Sequence, residues 1–170
     1  MTEYLLFMGS YFQTLTNSEL VAILVILPMA FTVCHEAGHY YAAYLCGVGS
    51  DEFALGRGPT ILRIPVSSVG CNFAFRLFPF GGRVTYGEGY WLLSYAKCAL
   101  LAAAGWLADV VLWLMCYSMQ VFIDTSEPIY TFIFFVISVR VCTGLLPVTS
   151  DGRNTVYYLY LAITSRSDKH

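Results

Sequence analysis

The strongest constraint on this chain is a cluster of ionisable residues set inside an apolar run. The run reads Leu20-Val-Ala-Ile-Leu-Val-Ile-Leu-Pro-Met-Ala-Phe-Thr-Val-Cys34, then carries His35, Glu36 and His39, and resumes as Tyr40-Tyr-Ala-Ala-Tyr-Leu-Cys46. The uninterrupted apolar part is short for a bilayer. The whole stretch, about 19–46, is long enough at ~1.5 Å of rise per residue. The charged cluster therefore lies within a membrane-embedded helix, toward its C-terminal end. Ionisable groups are costly in hydrocarbon and mark functional positions there. Pro28 is expected to kink the same helix.

Composition agrees. Of 170 residues, 58% are hydrophobic and only 12% charged, against about 45–50% and about 25% in ordinary soluble domains. A chain of this size has too little interior to hide that much apolar surface, which excludes a soluble enzyme. The net charge of -2 offers no basic footprint for nucleic acid. Length indicates a single domain over 1–170. Cys34, Cys46, Cys98, Cys116 and Cys142 lie in or beside apolar runs, and no pair has C-x-x-C spacing. They read as packed hydrophobes rather than a disulfide framework. The N-terminus has no basic n-region, so no cleaved signal peptide is expected.

The expected fold is a mainly α, polytopic membrane protein with three transmembrane helices and a short membrane-associated β-hairpin between the first two. The spans are about 19–46, 91–123 and 128–146. Tyr4–Phe12 and Val156–Ile163 are too short to cross and read as interfacial or packed helices. All nine Lys and Arg follow residue 56. Arg57, Arg63, Arg76 and Arg83 occupy the loop after the first span; Arg153, Arg166 and Lys169 occupy the tail. The N-terminal segment and the Asp124–Glu127 loop carry none. The positive-inside rule puts the N-terminus outside, with the long loop and the C-terminus in the cytoplasm. Lys97 and Arg140 then fall near cytoplasmic helix ends, where they can snorkel.

Within the long loop, Thr60-Ile-Leu-Arg-Ile-Pro-Val66 and Cys71-Asn-Phe-Ala-Phe-Arg-Leu-Phe78 alternate in the manner of strands. Ser67-Ser-Val-Gly70 is turn-like, which predicts a hairpin inside a β-rich, cytoplasmic-side loop of about 53–84. Pro79 and Gly81-Gly82 are expected to end the second strand.

His35-Glu36-Ala37-Gly38-His39 is H-E-x-x-H. Histidines at i and i+4 share a helix face, so both imidazoles can reach one zinc ion. The glutamate beside the first can accept a proton from a water at that ion. A catalytic zinc site has three protein ligands and one open position. The third must come from elsewhere: Asp151, Asp109 and Glu88 are candidates, while His170 is terminal. Asp151 lies just past the third span, at a depth that matches the histidines, and Asp109 sits further from the cytoplasmic side.

With these residues in hand, the chain resembles the site-2 proteases, a family of intramembrane zinc metalloproteases. The resemblance runs in order over about 20–155. His35-Glu-Ala-Gly-His39 matches the family's metal-binding helix. Cys46-Gly-Val and Phe53-Ala-Leu-Gly56 resemble the segment after it, and Phe78-Pro-Phe-Gly-Gly-Arg-Val84 resembles its proline- and glycine-containing strand end. Gly105-Trp-Leu-Ala-Asp109 falls where the family has G-P-x-x-N. Leu145-Leu-Pro147 through Asp151-Gly152 resembles the late motif that supplies the third zinc ligand. Trp106 replaces a proline, Asp109 an asparagine, and Gly144 stands where the late motif has asparagine. Because His35, His39 and Asp151 are all present, these departures bear on substrate handling more than on zinc.

The resemblance implies zinc held by His35, His39 and Asp151, with Glu36 as the catalytic base. It also implies a transmembrane protein substrate, whose peptide carbonyls are hidden until the helix unwinds. An edge strand around Phe73–Phe78 could hold the unwound segment by strand addition. Phe73, Phe75, Phe78, Gly81, Gly82 and Asp109 are the candidate substrate-binding residues. The implied setting is the lipid bilayer of a prokaryotic cytoplasmic membrane. The competing reading is a protease-fold subunit that binds or assembles a membrane complex, which leaves room for a membrane-protein partner or a homo-oligomer.

Overall fold

The computed structural model describes residues 9–10, 13, 15–66, 70–122 and 128–167. The expected Tyr4–Phe12 helix falls almost entirely outside them, as do the Asp124–Glu127 loop, most of the Ser67–Gly70 turn, Lys169 and His170. In chain order the elements are α1 (Asn17–Val21), a π turn (Ala22–Ile26), α2 (Leu27–Leu45), β1 (Ser50–Val66) and β2 (Cys71–Tyr86). A 3-10 turn (Glu88–Leu92), α3 (Tyr95–Phe122), α4 (Pro128–Gly144) and α5 (Ser150–Ser167) complete it.

Two helical stretches are long and apolar enough to cross a membrane: Asn17–Leu45 and Tyr95–Val121, each with a mean hydropathy of 2.0 over its best window. α4 is apolar too, but its 17 residues extend only about 26 Å, short of a hydrocarbon core of about 30 Å. Pro28 sits in the first turn of α2, directly after the π turn. A proline interferes with the carbonyl one turn before it, and the wider turn takes up that conflict where a kink was expected.

The buried face of α2 is Phe31, Thr32, Glu36, His39, Ala42 and Ala43, a stripe at helical spacing. It lies against α3 through a cluster of Ala42, Ala43, Leu101 and Ala104. α3 is the central helix, in contact with α2, α4 and α5. α2 also rests on both strands.

The hairpin is longer than the sequence suggests. β1 pairs antiparallel with β2 from Ser50↔Tyr86 to Val66↔Cys71. Pro79 and Gly81-Gly82 do not end β2, which runs on to Tyr86. Gly56, Gly58 and Gly81 adopt positive φ amid register shifts, so these glycines serve as bulges and bends within the strands. Residues 52–55 have partners on both sides, Thr85 to Gly82 on one and Asn72 to Phe75 on the other. The hairpin thus doubles back on itself.

α5 also exceeds the expected Val156–Ile163, running over 18 residues. Its start is fixed by Thr149, whose hydroxyl accepts from the Gly152 N–H at 3.0 Å while its carbonyl accepts from Arg153. That is a side-chain N-cap, and it places Asp151 in the first turn, where a carboxylate is favoured.

Candidate active site

Elements distant in sequence converge on one cavity of about 630 Å³. α2 contributes Thr32, His35, Glu36 and His39; α5 contributes Asp151, Asn154 and Tyr158; β2 contributes Gly81, Gly82, Arg83 and Val84. Asp109 of α3 and Arg140 of α4 complete the wall facing the histidines.

The ligating atoms of His35, His39 and Asp151 all lie within 4.8 Å of one another. Asp151 Oδ2 is 2.9 Å from His35 Nε2 and 3.3 Å from His39 Nε2. Donors bound tetrahedrally to zinc at about 2.0–2.2 Å stand roughly 3.3 Å apart, so the two Asp151–imidazole separations fit that ion. The outer nitrogens are occupied. His35 Nδ1 donates to Asp109 Oδ2 at 2.8 Å, and His39 Nδ1 donates to the Leu101 carbonyl at 2.8 Å. With Nδ1 protonated, each Nε2 turns its lone pair inward, the arrangement that orients metal-ligating histidines.

Burial alone would raise the Asp151 carboxyl; where the imidazoles carry a second proton on Nε2, their hydrogen bonds to it outweigh that and hold it well below the usual carboxylate range. It is ionised, as a ligand must be. Burial, together with its bond to Tyr158, pushes the Tyr90 hydroxyl well above its ordinary value. Tyr90 stays neutral and donates to Tyr158 at 2.9 Å.

Small residues make the room. A Cβ on Gly105 would collide with Nε2 of both histidines. One on Gly82 would strike the Glu36 side chain from Cγ to Oε1, so β2 lies directly over that carboxylate. Glu36 is buried and lines the cavity, and its carboxylate has no hydrogen-bond partner among the described residues, which leaves its oxygens open to the cavity.

Of the candidate third ligands, Asp151 joins the histidines. Asp109 contacts His35 from behind, and Glu88 is exposed and outside the cavity wall. Of the candidate substrate-binding residues, Gly81, Gly82 and Asp109 line the cavity, whereas Phe73, Phe75 and Phe78 do not. Phe73 pairs with both Phe53 and Ile64, and Phe75 with both Leu55 and Leu62. The first half of the expected edge, Phe73–Phe75, is therefore interior to the sheet, because the hairpin doubles back over it. Arg140 does not snorkel: its guanidinium reaches Asp109 at 3.2 Å. Sequence reasoning also missed the roles of Gly105 and the Leu101 carbonyl. The Gly105–Asp109 segment resembles a family motif, but a close approach between helices leaves no local signal.

A profile described as peptidase family M50 matches residues 21–166. The chain is 34% identical over 81 residues to the chloroplastic membrane metalloprotease ARASP of Arabidopsis thaliana, covering 48% of this chain and 16% of that protein. It is 35% identical over 66 residues to the regulator of sigma-E protease RseP of Escherichia coli, covering 39% and 14%. Metalloprotease MmpA of Caulobacter vibrioides is 36% identical over 67 residues, covering 39% and 16%. The matched stretch thus spans about a sixth of these relatives' length. Relatives of this kind and the two long apolar helices place the chain in a membrane. By its sequence match across nearly the whole chain, the protein belongs to peptidase family M50, the site-2 protease family of membrane zinc metalloproteases.

Proposed function

We propose that this chain hydrolyses peptide bonds of membrane-embedded proteins, with zinc held by His35, His39 and Asp151 and Glu36 as the general base. The observation that carries the reading is the convergence of the inward-facing Nε2 atoms, the Asp151 carboxylate and the open Glu36 carboxylate on one cavity. Zinc bound there supplies Lewis acidity, which polarises a scissile carbonyl and lowers the pKa of a water. Glu36, one residue from His35 and pressed by Gly82, takes the proton of the attacking water and returns it to the leaving amine.

A helical substrate hides its carbonyls in its own hydrogen bonds and must unwind before attack. Among the described residues, 82–85 pair with β1 along one side only, and Gly81 to Val84 line the cavity. This edge, rather than Phe73–Phe78, is suited to take the unwound segment by strand addition. In our reading α4 is a third, short crossing, the N-terminus is outside, and the hairpin and C-terminus are cytoplasmic, a placement that the charge distribution supports.

Glu36→Gln tests the reading. The variant is expected to retain bound zinc and lose cleavage of a model transmembrane substrate in detergent by a factor of at least ~10². Cleavage at the wild-type rate would overturn it.

A further inference from the structure

We infer that Asp109 and Arg140 act as one positioning unit that aims His35 at the metal, with the carboxylate orienting the ring and the guanidinium cancelling its charge inside the helix bundle. This rests on the proposal that His35 is a zinc ligand.

The two histidines are held differently. His39 is oriented by a neutral backbone group, the Leu101 carbonyl. His35 is oriented by a full carboxylate on α3, and Asp109 is only 2% exposed. A buried carboxylate without a counter-charge is strongly destabilising. Arg140 provides that charge from α4, its guanidinium reaching both Asp109 oxygens at 3.2 and 3.3 Å. The pair adds no net charge to the site, as a neutral residue at position 109 would add none.

The rest of the α3–α4 seam holds Arg140 in place. Trp106, one turn before Asp109, donates from Nε1 to the Val141 carbonyl at 2.8 Å. Its indole occupies the space that a Cβ at Gly144 would need. Trp106, Asp109 and Gly144, the three positions that depart from the resembled motifs, thus lie along one contact. Trp106 fits Gly144, and Asp109 fits Arg140. The departures compensate one another within this seam, and the inward face of His35 is left intact.

The test is zinc affinity of the purified chain in detergent, read by competition with a chelator series, alongside helical content and the unfolding temperature without zinc. Asp109→Leu removes the acceptor, and Arg140→Gln removes the counter-charge. Each is expected to weaken zinc binding by ~10–100-fold, the range for groups that orient metal ligands. The double variant D109N/R140Q keeps a neutral acceptor and no charge, and is expected to return to within about threefold of wild type. Should Asp109→Leu fail to fold, Asp109→Asn carries the single-variant arm, since it keeps the shape and unpairs Arg140.

A purely structural role would lower the zinc-free unfolding temperature and leave the affinity of the folded protein unchanged, which would overturn the inference. So would a double variant no better than the weaker single one, or an Arg140→Gln chain of wild-type affinity. A wild-type chain that takes up no zinc would overturn the underlying metal-site proposal together with this one.

Discussion

Between α2 and α3 the backbones approach closely over mostly small side chains, beside the two histidine bonds to Asp109 and Leu101, whereas the α3–α4 contact carries hydrogen bonds from tryptophan and arginine side chains. On the first seam Ala42, Ala43, Leu101 and Ala104 form the buried cluster, and a Cβ on Gly38 would collide with the Ala104 carbonyl and the Ala108 methyl. On the second, Trp106 donates to Val141, Trp113 to the Ser138 hydroxyl at 2.8 Å, and Arg140 to Asp109. Helices in lipid gain little from apolar burial, so they associate by close packing or by interhelical hydrogen bonds. The difference teaches how the labour is divided. Close packing sets the distance from the histidines to the rest of the site, and directed bonds set where one imidazole points.

The contrast breaks most sharply at Gly105, where α3 passes beneath both imidazoles. Gly105→Ala puts a methyl into both Nε2 positions, and zinc content after purification is expected to fall to less than about a tenth of wild type. Stoichiometric zinc in that variant would refute the close-approach account. Gly38→Val acts one turn away on the same seam. Overpacking against the Ala104 backbone should cost about 1–3 kcal/mol in unfolding free energy and lower zinc affinity as well. The smallest effect is expected at the far end of the other seam. Ser138→Ala removes the acceptor of Trp113 and should cost only about 0.6 kcal/mol, leaving zinc affinity unchanged. If it lowered zinc affinity as Gly38→Val does, the division between distance and direction would fail.

The paired-histidine helix was readable because its signal is local. Histidines four apart on an apolar helix share a face whatever surrounds them. The first two long helices were readable for the same reason, although α3 begins at Tyr95 rather than Trp91. The strands were readable only where alternation is uninterrupted. Pro79 and Gly81-Gly82 suggested an end to the second strand, yet β2 runs through them to Tyr86. The length of α5 was hidden because its polar residues dilute the apolar run, while its start depends on the Thr149 cap.

The partners of the charged residues were harder to see. Asp109 looked like a ligand or a substrate contact, and Arg140 like a snorkelling side chain. They lie 31 positions apart, and no periodicity links them. Gly105 carried no signal for its role, because a missing Cβ matters only when two imidazoles arrive from another helix.

The sequence by itself determined a membrane chain with a paired-histidine helix, a glutamate beside it and a late aspartate, since hydropathy and i, i+4 spacing are properties of the chain. Only the tertiary structure decided which carboxylate meets the histidines, which one stands behind them, and which strand faces the cavity. Those choices depend on how closely helices approach and where a hairpin folds back, and both are set by contacts between residues far apart in sequence.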